Sequence, residues 1–323
     1  MSIKWVFLMR IAIVGVGSIG GILLGSLADS EADLIAVARG NNAEVLSKMG
    51  LVLHTPEGSI EVVPPERYIT VDSAAQISEQ IRGTCDVAIV CGKTVDTPLL
   101  AQISKEILAI DGVALTIQNG LGNAEALAHQ IGRERVLVGS ITHGAMRRSE
   151  GEIEWVGRGS IIFGGMGEVI PNQVESLVDY LNEVNLNATW VEDYQRIIWR
   201  KLLLNVAINP ICAIAGVKNG ALLEINSLWL QSVQAMREAA IVARAAGIDL
   251  GDINLEDYLQ KVVIATAENR CSMLQDVMAG RPTEIDSLCG AVVLNGEAQG
   301  VPTPFNAMLH GLVQGIEKSP EFG

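Results

Sequence analysis

The sequence has no Cys-x-x-Cys pair, no His/Cys cluster at zinc-ligand spacing and no basic arm. Its five cysteines (Cys85, Cys91, Cys212, Cys271, Cys289) are scattered and odd in number, which argues against structural zinc and against a disulfide framework. The apolar neighbours of Cys91 and Cys212 suit small core residues, and a reducing, cytoplasmic compartment fits such thiols best. The four histidines are dispersed and form no triad, and the chemistry read below needs no metal. Lys+Arg stand against Asp+Glu at 13 to 23 over residues 1–192 and at 10 to 14 over residues 193–323. Both halves are acidic, so nucleic acid and an anionic membrane surface are poor partners. An anionic small ligand would need a local positive site. No apolar run of membrane-spanning length is evident, and no internal repeat or low-complexity tract. Met1–Leu8 lacks the length and cleavage site of a signal peptide, so it reads as an extension of the first strand or an upstream start.

What is present is globular. The 323 residues are 49% hydrophobic and 19% charged, which suffices for two domains with full cores. Arg10–Val14 (R-I-A-I-V) reads as a buried strand that ends at glycine. G-V-G-S-I-G follows, placing Gly15, Gly17 and Gly20 in a G-x-G-x-x-G pattern; Ser18–Ala28 reads as a helix and Leu34–Ala38 as a second strand. This is the context that a dinucleotide fingerprint requires, for a nicotinamide or flavin cofactor. The glycines allow a tight turn, close approach to a pyrophosphate and close helix packing, and the helix N-terminus favours the anion. The second strand ends in Arg39-Gly40-Asn41-Asn42, without the carboxylate that an NAD ribose usually meets. A guanidinium there suits a 2′-phosphate, so NADP is expected.

Thr55–Ser59 reads as a turn between short strands. Asp86–Cys91 and Val113–Ile117 read as buried strands whose ends carry Lys93 and Gln118-Asn119-Gly120-Leu121-Gly122. Ligands bind beyond the carboxyl ends of strands in an open α/β sheet, although Asn-Gly is also an ordinary turn pair. Arg135–Ile141, Gly151–Val156, Ser160–Phe163 and Ala188–Val191 read as further strands, and Pro171–Val184 as a helix with Pro171 in its first turn.

From Tyr194 onward the patterns are helical, which puts a domain boundary near Glu192–Asp193. The first helical stretch, Ile197–Pro210, is apolar on nearly every side, yet carries Lys201, Asn205 and Asn209 at i, i+4, i+8. A lysine in apolar surroundings is either snorkelling to water or held for proton transfer. Pro210 disfavours helix at Asn209 and predicts a kink there. Trp229–Ala246, Tyr258–Met278 and Glu284–Gln299 read as helices, with Thr283 and Asp286 at capping-box range. Polar groups crowd Glu268–Asp276 around Ser272, a pattern that a plain surface segment also gives.

With these pieces placed, the sequence resembles the ketopantoate reductases (2-dehydropantoate 2-reductases) over nearly the whole chain after Met9. W-R-K-L-x-x-N-x-x-I-N-P at Trp199–Pro210 carries the resemblance, with T-A-E-N…S-M-L-Q-D…T-E-I-D from Thr266 to Asp286, the Q-N-G-L-G turn and T-H-G-A at Thr142–Ala145. It implies an α/β fold, a Rossmann NADP-binding domain over 1–192 followed by an all-α substrate and catalytic domain over 193–323, with the site in the cleft. The implied reaction is NADPH-dependent reduction of 2-dehydropantoate to (R)-pantoate, towards pantothenate and coenzyme A. By the same resemblance Lys201 is the general acid and Glu284 contacts ligand or cofactor and sets the electrostatics. Gly15, Val16, Gly17, Ser18, Ile19, Gly20, Arg39, Lys93, Asn119 and Ala145 line NADPH. Asn119, Asn205, Asn209, Asn219 and Ser272 hold substrate beside Lys201, and His143 is read as structural. The rival readings are a related NADP-dependent 2-oxo acid or imine reductase, and an NADP-binding sensor without turnover. The apolar surplus of the helices after residue 220 would suit a homodimer, with a monomer left open.

Overall fold

The computed structural model describes residues 8–319; apart from Leu8, the segment read as an N-terminal extension lies outside them. Two compact units result: one runs through Gln118 and resumes over Asn123–Tyr194, the other joins Asn119–Gly122 to the chain from Gln195 onward.

The strands of the first unit are β1 (Arg10–Val14), β2 (Asp33–Val37), β3 (Leu51–His54), β4 (Ile60–Val63), β5 (Tyr68–Val71), β6 (Cys85–Val90), β7 (Leu108–Thr116), β8 (Val136–Ile141), β9 (Gly144–Ser149), β10 (Glu152–Gly157), β11 (Ile161–Gly165) and β12 (Ala188–Trp190). Eight form a sheet in the order β12-β11-β8-β7-β6-β1-β2-β5, parallel except where β11 meets β8. Ile11, Ala12, Ile13 and Val14 are all fully buried, as a central strand covered on both faces demands. The chain leaves β1 for β2 on one side and returns as β6 on the other, so a topological switch point falls between β1 and β6.

A second sheet, β4-β3-β10-β9, explains why α1 (Ser18–Leu27) is apolar nearly all round. That helix packs on β1 and β2 and also on β3, β9 and β10. Its glycines permit this: a Cβ on Gly21 would lie 2.4 Å from Ile153 Cγ1, and one on Gly25 would lie 2.7 Å from Leu53 Cδ2. The remaining helices of this unit are α2 (Gly40–Met49), α3 (Thr97–Ile107), α4 (Asn123–Ile131) and α5 (Gln173–Glu183). Pro171 is not in the first turn of α5; it precedes the helix, and its carbonyl accepts from Val174 N–H at 3.1 Å.

The second unit is helical: α6 (Tyr194–Ala215), α7 (Ala221–Glu224), α8 (Asn226–Ala245), α9 (Leu255–Ala265), α10 (Ser272–Met278), a π-turn (Asp286–Gly290), α11 (Ala291–Gln299) and α12 (Pro304–Lys318). Four sequence expectations change here. Asn209 stays helical, although the following proline disfavours helix there, and α6 continues through Pro210 to Ala215. It also has the length and apolarity to cross a membrane, contrary to the reading of no such run, but 61% of its most apolar window is buried inside the fold. Tyr258–Met278 is two helices: Asn254 Oδ1 accepts from the N–H groups of Glu256 and Asp257 and starts α9 early, and Cys271 Sγ accepts from Leu274 N–H to start α10 afresh. Between them Thr266 Oγ1 bonds back to Val262 O at 2.8 Å, one of the local bonds that compete with helix. Finally, Thr283 Oγ1 accepts from Ile285 N–H, but Asp286 turns to α12 instead of closing a capping box.

Candidate active site

In the first unit the glycine turn follows β1. Its backbone is fixed by Gly15 N–H and Val16 N–H, which both donate to Val37 O at 3.0 and 2.9 Å. Two of the three glycines are required by the fold itself. Gly15 has φ +103, and a Cβ there would lie 2.5 Å from Gly92 N, at the end of β6. A Cβ on Gly20 would lie 2.4 Å from Gly15 O. A Cβ on Gly17 would meet nothing within 4 Å, so this position is open towards whatever the loop faces. No side chain caps the N-terminus of α1 at Gly17, which leaves Ser18, Ile19 and Gly20 presenting a helix terminus suited to an anion.

Asn42 was not singled out from the sequence, where it reads as one more loop polar group. It is buried, donates Nδ2 to Val16 O at 2.7 Å and accepts from Gly151 N–H at 3.0 Å, tying the glycine turn to the second sheet. Arg39 caps α2 and reaches Asp96 Oδ2 at 2.6 Å; its side chain is about half exposed. Lys93 is half-buried just beyond β6, and Ala145 lies on β9, paired with Trp155. His143 is buried, with Nδ1 accepting from Gly159 N–H at 2.9 Å, Nε2 at 3.0 Å from Leu186 O and its ring edge-on to Trp155. Burial pushes its pKa below the usual histidine value, in keeping with a neutral ring that serves the fold.

In the second unit α6 carries Lys201, Asn205 and Asn209 along one side. Burial pushes the Lys201 ammonium down from 10.5 to about 8, and the Glu284 carboxylate works in the opposite sense. Glu284 Oε2 accepts from Asn119 Nδ2 at 2.9 Å. The turn that bears Asn119 sits on the start of the π-turn: Leu121 N–H donates to Ser287 O at 3.0 Å. Gly120, at φ +80, has Ser287 atoms 2.4–2.6 Å from where its Cβ would be, so only glycine fits. Ser287 was another residue that the sequence did not flag.

The structure therefore brings Lys201, Glu284 and Asn119 together. Asn209 is buried, and its carbonyl accepts from Cys271 Sγ at 3.5 Å, beside the exposed Ser272. Asn219 is buried at the K-N-G turn, with Nδ2 on Thr266 Oγ1 at 3.0 Å and Oδ1 lacking a hydrogen-bond partner. Such an orphaned acceptor is costly unless something else fills it.

Residues 11–168 match the family described as Ketopantoate reductase PanE/ApbA, and residues 193–317 match its C-terminal family. A 2-dehydropantoate 2-reductase of Archaeoglobus fulgidus is 32% identical over 309 residues, covering 95% of this chain and 98% of its own. A PanE/ApbA family ketopantoate reductase from Ralstonia eutropha JMP134 superposes with a TM-score of 0.86 at 26% identity, over 96% of this chain and 98% of its own. A D-mandelate dehydrogenase solved with NADH and anilino(oxo)acetate shares the fold, with a TM-score of 0.87 at 23% identity over 96% of this chain and 98% of its own. Fold and relatives together define a pyridine-nucleotide-dependent oxidoreductase with a Rossmann sheet and a helical C-terminal part. The chain belongs to the ketopantoate reductase family.

Proposed function

We propose that the protein reduces 2-dehydropantoate to (R)-pantoate with NADPH, residues 1–192 holding the cofactor and residues 193–323 the substrate and proton donor. The observation that carries this reading is Lys201, an ammonium brought to about 8 by burial and faced by Glu284, on the motif that marks the family. The glycine turn fits a dinucleotide: Gly17 is open, and the α1 terminus has no side-chain cap. Gly15, Val16, Gly17, Ser18, Ile19 and Gly20 would cradle the pyrophosphate, with Lys93, Asn119 and Ala145 along the cofactor. Arg39 would meet the 2′-phosphate in exchange for Asp96. Bound there, a reduced nicotinamide supplies the hydride.

Lys201 then gives a proton to the former keto oxygen as negative charge develops on it. Near neutral pH a donor at about 8 is mostly charged, yet it releases its proton far more readily than an ordinary lysine. Glu284 keeps the ammonium charged, and Asn119 holds Glu284 in place. Asn205, Asn209, Asn219 and Ser272 bind hydroxyl and carboxylate oxygens without adding charge. The unpartnered Oδ1 of Asn219 supports this, since a substrate hydroxyl would satisfy it.

The experiment is NADPH oxidation by the purified protein over a panel of 2-oxo acids, ketopantoate and aryl-substituted acids included, with NADH in parallel. Ketopantoate with NADPH should give the highest kcat/KM, and Lys201→Ala should cut turnover by orders of magnitude while NADPH binding changes little. A preference for an aryl 2-oxo acid would replace the substrate, and NADPH binding without turnover on any acid would leave a sensor.

A further inference from the structure

The segment that carries Glu284 does not enter its helix regularly. Asp286–Gly290 winds as a π-turn, and α11 begins only at Ala291. Such turns are rare and recur at functional sites. Here the element that holds the turn is visible. Asp286 Oδ1 accepts from His310 Nε2 at 2.6 Å and from Gln314 Nε2 at 2.9 Å. His310 and Gln314 stand four apart on α12, hence on one face. A Cβ on Gly290, at the far end of the turn, would lie 3.0 Å from His310 Nε2, so the turn rests closely on that ring.

The helix α12 is itself anchored. Glu238 on α8 is buried and accepts from Phe305 N–H, Asn306 N–H and Asn306 Nδ2, each at 2.9 Å. Asp286 is 78% exposed, so its ion pair adds little to stability. What it does is fix geometry two residues from Glu284.

We propose that Asp286 and His310 are positioning residues for the reduction, holding the π-turn in the register that keeps Glu284 on Asn119 and near Lys201. This rests on the reading of Lys201 and Glu284 given above. His310 and Lys318, both on α12, are the charged or titratable groups acting on Asp286; with Gln314 they hold its carboxyl below the usual range, so it stays an acceptor through the working pH range. Glu284 is a charged group that acts on Lys201 and favours its charged form. If the π-turn loses its hold, Glu284 drifts and Lys201 gives up its proton at lower pH.

The test is the pH profile of kcat/KM for ketopantoate with saturating NADPH, in the wild type, Glu284→Gln, His310→Ala, His310→Gln and Gln314→Ala. In His310→Ala the alkaline limb should move down by roughly half a unit or more, in the direction of Glu284→Gln but less far. In His310→Gln, whose amide can still donate to Asp286, the limb should return to its wild-type position. A purely structural role would lower the melting temperature and leave the limb in place. An unmoved limb in folded His310→Ala overturns the proposal. A wild type without turnover, or a Glu284→Gln limb that does not move, overturns the underlying reading of the site instead. Should His310→Ala fail to fold, Gln314→Ala must give a smaller shift in the same direction, and no shift overturns the proposal.

Discussion

Asn119 donates its side-chain amide to Glu284 across 165 positions of sequence, at 2.9 Å. The turn that carries Asn119 belongs structurally to the helical unit, although its neighbours on both sides belong to the sheet unit. Asn119→Ala should therefore act through Glu284 as well as through any ligand. A hydrogen bond to a charged group contributes about 1.5–3 kcal/mol, so kcat/KM should fall about ten- to a hundredfold. The alkaline limb should also shift down, because Glu284 is less well held. A fall in kcat/KM with the limb unchanged would confine Asn119 to binding.

The glycines separate folding from binding. Gly15→Ala puts a Cβ at φ +103 against Gly92 N and should cost on the order of 1–3 kcal/mol of stability. Gly17→Ala meets nothing within 4 Å and should fold with an unchanged melting temperature. On the proposed reading it should nevertheless weaken NADPH binding, because the methyl group would take space that the bound cofactor needs. Melting curves and NADPH fluorescence titrations on both variants check this, and equal melting losses would contradict it.

Lys201 gives a stability prediction of definite sign. The unfolded chain keeps this proton up to about 10.5 and the folded chain up to about 8. Between those values the unfolded state binds more protons, so stability rises with pH. Lys201→Met removes a desolvated ammonium and should melt higher than the wild type at neutral pH while losing that rise. Calorimetry near pH 7 and near pH 9 measures both effects. An equal pH slope in wild type and variant would place the ammonium in water.

Cofactor choice turns on an acidic neighbour. Arg39 already pairs with Asp96 at 2.6 Å, so a 2′-phosphate bound as proposed would have to compete with a carboxylate. Asp96→Asn should tighten NADPH relative to NADH, and Arg39→Asp should weaken NADPH far more than NADH. Measured dissociation constants for both nucleotides decide it. Proportional changes for the two cofactors would remove Arg39 from 2′-phosphate recognition.

The parts legible in the sequence are those set by local pattern. Three glycines at fixed spacing between two aliphatic runs mark a tight strand-to-helix turn, and Gly15 and Gly20 each meet a separate steric need there. Lys201, Asn205 and Asn209 share a helix side through periodicity alone. The illegible parts depend on distant partners. Nothing local marks α1 as lying between two sheets, since an apolar helix reads the same against one. The break between α9 and α10 falls where Thr266 bonds back to Val262 and Cys271 caps a new helix, and a thiol is a weak acceptor that capping rules do not favour. The π-turn looked like a capping box because Thr283 and Asp286 have that spacing, yet Asp286 meets a stronger partner on α12. Asn42 ties the glycine turn to Gly151, and Ser287 receives the Asn119 turn through Leu121, each across more than a hundred positions of sequence.

The sandwiched helix α1 bears on how the protein is made. It has only ten residues, with glycine at Gly20, Gly21 and Gly25, each interior glycine costing about 1 kcal/mol relative to alanine. A helix that short is marginal by itself in water. It gains its shape from β3 and β10, which are brought together from opposite ends of the sheet unit's chain. The N-terminus of α1 should thus take shape late in assembly, after the strands that flank it. In pulse-labelling during refolding, the amides of α1 should gain protection after those of β1 and β6.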